Sequence, residues 1–118
     1  MKRILVVDDE PNLRDIYQAF LFKLDVDSST AENGKKALDI IANDDGFDLI
    51  ITDIDMPEMN GIEMAQKLNG SKIPIIFVSG REESLREAKS KNFPSFAGSF
   101  LKPVGLKDFT ELVKKILA

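Results

Sequence analysis

Two short aliphatic segments, residues 4–7 and 49–52, most constrain the fold of this chain, because an aspartate directly follows each of them. Segments of this kind, separated by helix-length stretches, are typical of strands buried in a parallel sheet. Asp8 and Asp9 follow the first segment and Asp53 follows the second. Ligands bind such sheets at the carboxyl ends of the strands. If the two strands are neighbours, the three carboxylates converge on one open edge.

Carboxylates that converge in this way repel one another, so the cluster calls for a cation. Oxygen ligands of this type favour Mg²⁺. A metal-bound aspartate is also a possible nucleophile toward phosphorus. The acidic residues therefore predict a magnesium site that contains a reactive carboxylate.

The composition excludes several other kinds of site. The chain has 118 residues, 43% of them hydrophobic and 31% charged, which fits one soluble globular domain. Because it has no cysteine and no histidine, disulfides, zinc-thiolate sites and a histidine base are excluded. The net charge of −4 argues against nucleic acid binding by the domain. We find no membrane span and no signal-peptide pattern, and we expect a cytoplasmic protein.

Strand and helix patterns alternate along the whole chain. The predicted strands are residues 3–7, 26–31, 49–52, 73–78 and 96–101. The second strand is the most polar, so we expect it at an edge of the sheet. The first helix has Pro11 in its first turn, and the fourth, residues 82–91, has only Leu85 and Ala88 as apolar anchors. This alternation predicts an α/β fold with a doubly wound parallel sheet and helices on both faces.

Three motifs make the interpretation specific. Val-Val-Asp-Asp-Glu-Pro occupies residues 6–11, Asp-Leu-Ile-Ile-Thr-Asp-Ile-Asp-Met-Pro occupies residues 48–57 with Gly61 following, and Leu-Lys-Pro occupies residues 101–103. Each motif alone also fits a helix cap, a loop acid or a surface turn. Together, on successive strand ends, they resemble a response-regulator receiver domain, the phosphoacceptor unit of two-component signalling. The resemblance covers residues 1–118 as one domain and implies a (βα)5 fold with strand order 2-1-3-4-5, which makes the first and third strands neighbours.

The resemblance assigns a role to each acidic residue. Asp53 is the phosphoacceptor, which takes a phosphoryl group from a phosphohistidine on a partner. The Mg²⁺ is held by Asp53, by Asp9 and by the backbone carbonyl of Asp55, while Asp8 acts through metal-bound water. The chain then catalyses only its own phosphotransfer and autodephosphorylation, and phosphoryl transfer of this kind depends on placement and charge neutralisation.

Two further residues complete the implied site. Ser79 ends the fourth strand, and its hydroxyl donates to a phosphoryl oxygen. Lys102 ends the fifth strand, and its ammonium pairs with Asp53 and then with the phosphate. The resemblance also implies a cis peptide bond between Lys102 and Pro103.

The chain departs from the family pattern at position 99, and two charged residues near the site, Asp55 and Arg81, are less routine. Ser99 stands where an aromatic switch residue is frequent, and we expect the adjacent Phe100 to pack in the core because a shift by one residue changes the face of a strand. Asp55 and Arg81 carry opposite charges on either side of the path to the phosphate. They either pair and slow loss of the phosphate, or Arg81 is solvated and Asp55 only adds negative charge.

By resemblance, a sensor histidine kinase or a histidine phosphotransfer protein docks beside the first helix. The face formed by the fourth helix, fifth strand and fifth helix controls an output partner or domain. We expect no membrane contact. The sequence leaves open the identity of the kinase, the output, and the oligomeric state, including a phosphorylation-dependent dimer.

Two other functions remain possible from the residues. Asp53 and Asp55 match the Asp-x-Asp nucleophile motif of haloacid dehalogenase-type phosphatases, although that motif normally ends the first strand and is followed by a threonine that this chain lacks. The second possible function is a receiver-like domain that only docks partners. The presence of the acceptor, the acids, the serine hydroxyl and the lysine weighs against this function.

Overall fold

A computed structural model describes all residues, Met1–Ala118, as five strands that alternate with five helices. The strands are β1 (Arg3–Val7), β2 (Asp27–Ala31), β3 (Leu49–Asp53), β4 (Ile75–Ser79) and β5 (Phe96–Leu101). The helices are α1 (Pro11–Phe22), α2 (Gly34–Asn43), α3 (Gly61–Lys67), α4 (Glu82–Ser90) and α5 (Leu106–Leu117). None of these helices combines the length and the apolar character required to cross a membrane.

All five strands run parallel in the order β2-β1-β3-β4-β5, as the resemblance implied. The aliphatic segments form the central strands β1 and β3, and the polar β2 lies at an edge. Val7 pairs with Thr52, so the next residues, Asp8 and Asp53, lie side by side where β1 and β3 end. The predicted convergence is therefore confirmed for Asp8 and Asp53 at the level of strand register.

The sheet separates two hydrophobic cores, because alternate residues of a strand point to opposite faces. Leu5 and Val7 join the core that packs against α2, α3 and α4. Ile4 and Val6 join the core that packs against α1 and α5. The predicted coverage of both sheet faces by helices is thus confirmed.

The boundaries of β4 differ from the prediction of residues 73–78. The amide of Ile73 donates to Ser71 Oγ at 3.2 Å, and Pro74 has no amide hydrogen. The first amide of the strand to pair with its neighbour is that of Ile75, which donates to the carbonyl of Ser95 at 2.8 Å. The strand therefore begins at Ile75 and continues to Ser79.

Helix α1 has Pro11 at its start, as predicted. Its apolar stripe is not wholly buried, because Tyr17 and Leu21 pack in the core whereas the Ile16 side chain remains 43% exposed. Helix α4 is held by few residues, with Ala88 buried and Leu85 packed against the same core. The prediction of a weakly anchored α4 is confirmed.

Candidate functional site

The carboxyl ends of four strands form one edge of the molecule, and four predicted site residues lie there. Asp8 follows β1, Asp53 ends β3, Ser79 ends β4 and Lys102 follows β5. Backbone hydrogen bonds continue past the strands, since the amide of Asp8 donates to the carbonyl of Ala31 at 3.1 Å and that of Lys102 to Ser79 at 2.8 Å. The four side chains therefore start from a backbone that the sheet holds by hydrogen bonds.

Lys102 joins the two buried carboxylates. Its Nζ lies 3.3 Å from Asp53 Oδ1 and 3.4 Å from Asp8 Oδ2. The side chains of Asp53 and Asp8 are only 4% and 1% exposed. Two buried negative charges thus share one positive charge, which leaves the centre of the site with excess negative charge.

This excess of negative charge and the burial of the site shift the pKa values of Asp53, Asp8 and Lys102. Burial, followed by repulsion from Asp8, raises the pKa of Asp53 to about 7. Burial also raises the pKa of Asp8. For Lys102, burial alone would lower the pKa, but attraction to Asp53 and Asp8 raises it overall, so the ammonium stays charged. The site can therefore accept a further positive charge that would favour the ionised form of Asp53.

The side chains present fit a hard divalent cation. Carboxylate oxygens of Asp8, Asp9 and Glu10 lie within 4.8 Å of one another, and all are ligands of the type that Mg²⁺ prefers. Glu10 was absent from the predicted metal set, although the Asp-Asp-Glu run after β1 was a visible signal for it. Asp53 is not one of these three residues, but its carboxylate shares the Lys102 ammonium with Asp8. Metal ligation by Asp53 and by the backbone carbonyl of Asp55 remains a prediction.

Ser79 makes a contact that the sequence did not reveal. Its Oγ donates to Asp55 Oδ2 at 2.5 Å and accepts from the amide of Arg81 at 2.9 Å. Ser84 Oγ donates to the other oxygen of the same carboxylate, Asp55 Oδ1, at 2.9 Å. Sequence reasoning missed Ser84, because only the position of α4 brings it to the site.

The ion pair considered between Asp55 and Arg81 exists but is long. Arg81 Nη1 lies 3.9 Å from Asp55 Oδ1, and the Arg81 side chain is 62% exposed. The same guanidinium donates from Nε to Glu83 Oε1 at 3.0 Å. Asp55 is therefore held mainly by the two serine hydroxyls, and exposed pairs such as this one contribute little energy.

Two other predictions near the site are confirmed by the structure. The peptide bond between Lys102 and Pro103 is cis. Phe100 packs against the core between the sheet, α1 and α5, where its ring centroid lies 6.2 Å from that of Phe109. Ser99 lies on the opposite face of β5 and lines the groove beside α4.

The start of α3 fixes the loop that follows Asp53. The amide of Gly61 donates to the carbonyl of Ile54 at 3.0 Å. A side chain at position 61 would place its Cβ only 2.4 Å from the backbone oxygen of Asp53. Glycine is required here because the helix begins directly against the backbone of the candidate acceptor.

Comparisons of the sequence and of the fold with known proteins point to the same family. A family model described as the response regulator receiver domain matches residues 4–114. The crystal structure of the response regulator TrrA from Thermotoga maritima, in complex with Mg²⁺-BeF, superimposes with a TM-score of 0.86. It shares 34% sequence identity and covers 98% of this chain and 99% of its own.

Curated relatives include longer proteins. Two-component response regulator 24 of Arabidopsis thaliana is 34% identical over 107 residues, which are 91% of this chain and 70% of that protein. The transcriptional regulatory protein YrkP of Bacillus subtilis (strain 168) is 37% identical over 84 residues, which are 70% of this chain. The match spans only 36% of the length of YrkP.

Proposed function

Since the chain belongs to the response regulator receiver family of two-component systems, we propose that it is a phosphorylation-controlled switch with Asp53 as the phosphoacceptor. One observation carries the proposal: Asp53 is buried at a strand end between a second buried carboxylate, Asp8, and the ammonium of Lys102. A carboxylate in such a position is costly to bury and has no structural partner except Lys102, which is typical of functional groups.

The proposed reaction is direct transfer from a phosphohistidine on a partner. An oxygen of the Asp53 carboxylate attacks phosphorus, a P–O bond forms, the P–N bond breaks, and its electron pair returns to the imidazole. The ionised nucleophile has no proton to lose, so a chain without histidine can carry out this step. Lys102, 3.3 Å from Asp53 Oδ1, is close enough to pair with an oxygen of the transferred group.

We propose that Mg²⁺ is held by Asp8, Asp9 and Asp53 with the backbone carbonyl of Asp55, and that Glu10 adds negative charge beside it. When bound, the ion would offset repulsion between the attacking carboxylate and the phosphoryl oxygens. The proposed activity is limited to this self-modification and its reversal by water, without a metabolic substrate. Residues 1–118 act in this proposal as one receiver domain.

The partner that supplies the phosphoryl group is proposed to dock beside α1. A groove of about 320 Å³ lies there, lined by Leu13, Ile16, Tyr17 and the segment from Lys102 to Val104. It is largely apolar and leads to the lysine of the site. A sensor histidine kinase or a histidine phosphotransfer protein would place its phosphohistidine at this edge.

Output is proposed to pass through the face of α4, β5 and α5. A second groove, of about 300 Å³, lies between α4 and β5 and is lined by Leu85, Arg86, Ser99 and Leu101 among others. Leu101 is 45% exposed there. A mixed apolar and charged surface of this type suits a protein partner or an output domain.

Intact-mass spectrometry after incubation with Mg²⁺ and acetyl phosphate tests the proposal. We expect the parent protein to gain the mass of one PO3 group and Asp53→Asn to gain none. Asp39→Asn, which removes an exposed carboxylate from α2, is the matched control and should be modified like the parent. Modification of Asp53→Asn to the same extent as the parent would refute Asp53 as the acceptor.

A further inference from the structure

The carboxylate of Asp55 connects the ends of two other elements. One oxygen, Oδ2, accepts a hydrogen bond from Ser79 at the end of β4, at 2.5 Å. The other, Oδ1, accepts one from Ser84 in the first turn of α4, at 2.9 Å. Asp55 itself lies in the loop after β3. A single side chain thus joins three segments around the site.

The hydroxyl of Ser79 has no hydrogen left for another acceptor. A serine hydroxyl donates one hydrogen bond, and that of Ser79 goes to Asp55. Its oxygen already accepts from the amide of Arg81 at 2.9 Å. Ser79 is fully buried, so water does not reach its hydroxyl. It can therefore donate to Asp55 or to a phosphoryl oxygen on Asp53, but not to both.

Ser84 is one of the few residues that attach α4 to the rest of the protein. The N-cap of this helix, Arg81, makes no side-chain capping hydrogen bond. Within the helix only Ser84 and Ala88 are buried. The Asp55 side chain is 37% exposed, but hydrogen bonds to a charged acceptor are stronger than neutral ones, so the bond from Ser84 adds to the packing of Leu85 and Ala88 in holding the helix start.

Building on the proposed function, we propose that Asp55 is a positioning residue that opposes activation. In the unphosphorylated protein it holds the Ser79 hydroxyl away from Asp53 and fastens the start of α4 through Ser84. Capture of Ser79 by a phosphoryl group breaks the bond to Asp55. The anchor of α4 is then weakened, which connects the site to the output face. A ligand shifts such an equilibrium only by its different affinity for the two arrangements.

The first test needs no phosphorylation. Ser84→Ala removes the anchor without altering any charge, Ser84→Thr keeps a hydroxyl, and Ser90→Ala removes an exposed serine from the other end of α4. In EDTA, we expect amide hydrogen exchange in the first two turns of α4 to become about tenfold faster in Ser84→Ala. Ser84→Thr and Ser90→Ala should exchange there like the parent. Unchanged exchange in Ser84→Ala would overturn the anchoring role.

The second test measures competition for Ser79, with beryllofluoride and Mg²⁺ as the phosphoryl mimic. We expect Ser84→Ala to bind beryllofluoride roughly threefold to tenfold more tightly than the parent, because Asp55 then holds Ser79 less firmly. Asp55→Ala should bind more tightly still, and adding Ser84→Ala to it should have no further effect. Ser84→Thr should bind like the parent.

The possible failures are distinguishable. If Asp55→Ala binds beryllofluoride more tightly but Ser84→Ala does not, the effect of Asp55 is charge repulsion alone and the inference is wrong. If the parent and all variants fail to bind beryllofluoride, the proposed function is refuted, and the competition for Ser79 with it. Tighter binding by Ser84→Ala together with parent-like behaviour of Ser84→Thr supports the inference.

Discussion

Replacing Asp53 by asparagine will stabilise the metal-free protein, and the gain will grow with pH. Burial and the neighbouring Asp8 raise the pKa of Asp53 from 3.8 to about 7 in the folded state. Between these two values the folded protein binds more protons than the unfolded chain, so stability falls as pH rises through this window. Below it, the carboxyl is protonated in both states and costs nothing. Asparagine is neutral throughout and removes the pH-dependent cost.

The size of the gain follows from the two pKa values. At about 1.4 kcal/mol per pH unit, the separation between them corresponds to about 4 kcal/mol once the pH exceeds the folded-state pKa. Lys102 loses one of its two carboxylate partners in the variant, which offsets part of this. We therefore expect Asp53→Asn to gain about 2–4 kcal/mol near pH 8 and about 1 kcal/mol or less near pH 4.5.

Urea unfolding followed by circular dichroism, in EDTA and across this pH range, measures the effect. Asp39→Asn is the control, because it removes an exposed acid that makes no ion pair with its side chain, and its stability should follow that of the parent. The reasoning is refuted if Asp53→Asn is less stable than the parent near pH 8. It is also refuted if the gain is independent of pH.

Three further substitutions test the packing that positions the site. Gly61→Ala should lose about 1–3 kcal/mol of stability, because the new Cβ meets a backbone oxygen; Gly80→Ala, where nothing lies within 4 Å, should be near neutral in the same urea titration. Phe109→Ala should cost about 3–5 kcal/mol because the ring is fully buried, whereas the 85% exposed Phe22 should tolerate alanine within about 0.5 kcal/mol. Asn60→Ala should cost about 0.5–2 kcal/mol by removing the capping box of α3, seen as a lower thermal midpoint. Equal effects of the two glycine or the two phenylalanine substitutions, or no change for Asn60→Ala, would contradict the assigned contacts.

The fold was predictable where pattern and topology agree. The aliphatic segments fixed the central strands, and the bounds of β5 match the predicted residues 96–101. The start of β4 was not predictable from hydrophobicity, because it depends on a local hydrogen bond from Ile73 to the hydroxyl of Ser71. Strand boundaries of this kind are set by competition between local turns and the sheet ladder.

The candidate site was likewise predictable only in part. Residues that end strands, such as Asp53 and Lys102, could be assigned to one edge from the strand order that the resemblance implied, because parallel strands end at one edge. The hydrogen bonds of Asp55 with the two serines could not, since this side chain extends from a loop whose path no periodic pattern describes. Ser84 was equally hidden, because its role depends on how α4 is rotated and placed against the sheet.

The presence of two hydrophobic cores limits how a change on one face of the sheet can affect the other face. The groove beside α1 borders the core that α1 and α5 share, whereas helix α4 packs on the other core, so α1 and α4 share no side-chain interior. The sheet, a single layer of hydrogen-bonded strands, lies between the two cores. Coupling between α1 and α4 therefore depends on the carboxyl edge of the sheet, where polar side chains such as Asp55 and Ser79 form hydrogen bonds between segments. A rearrangement of these hydrogen bonds can therefore act on α4 while both cores stay packed.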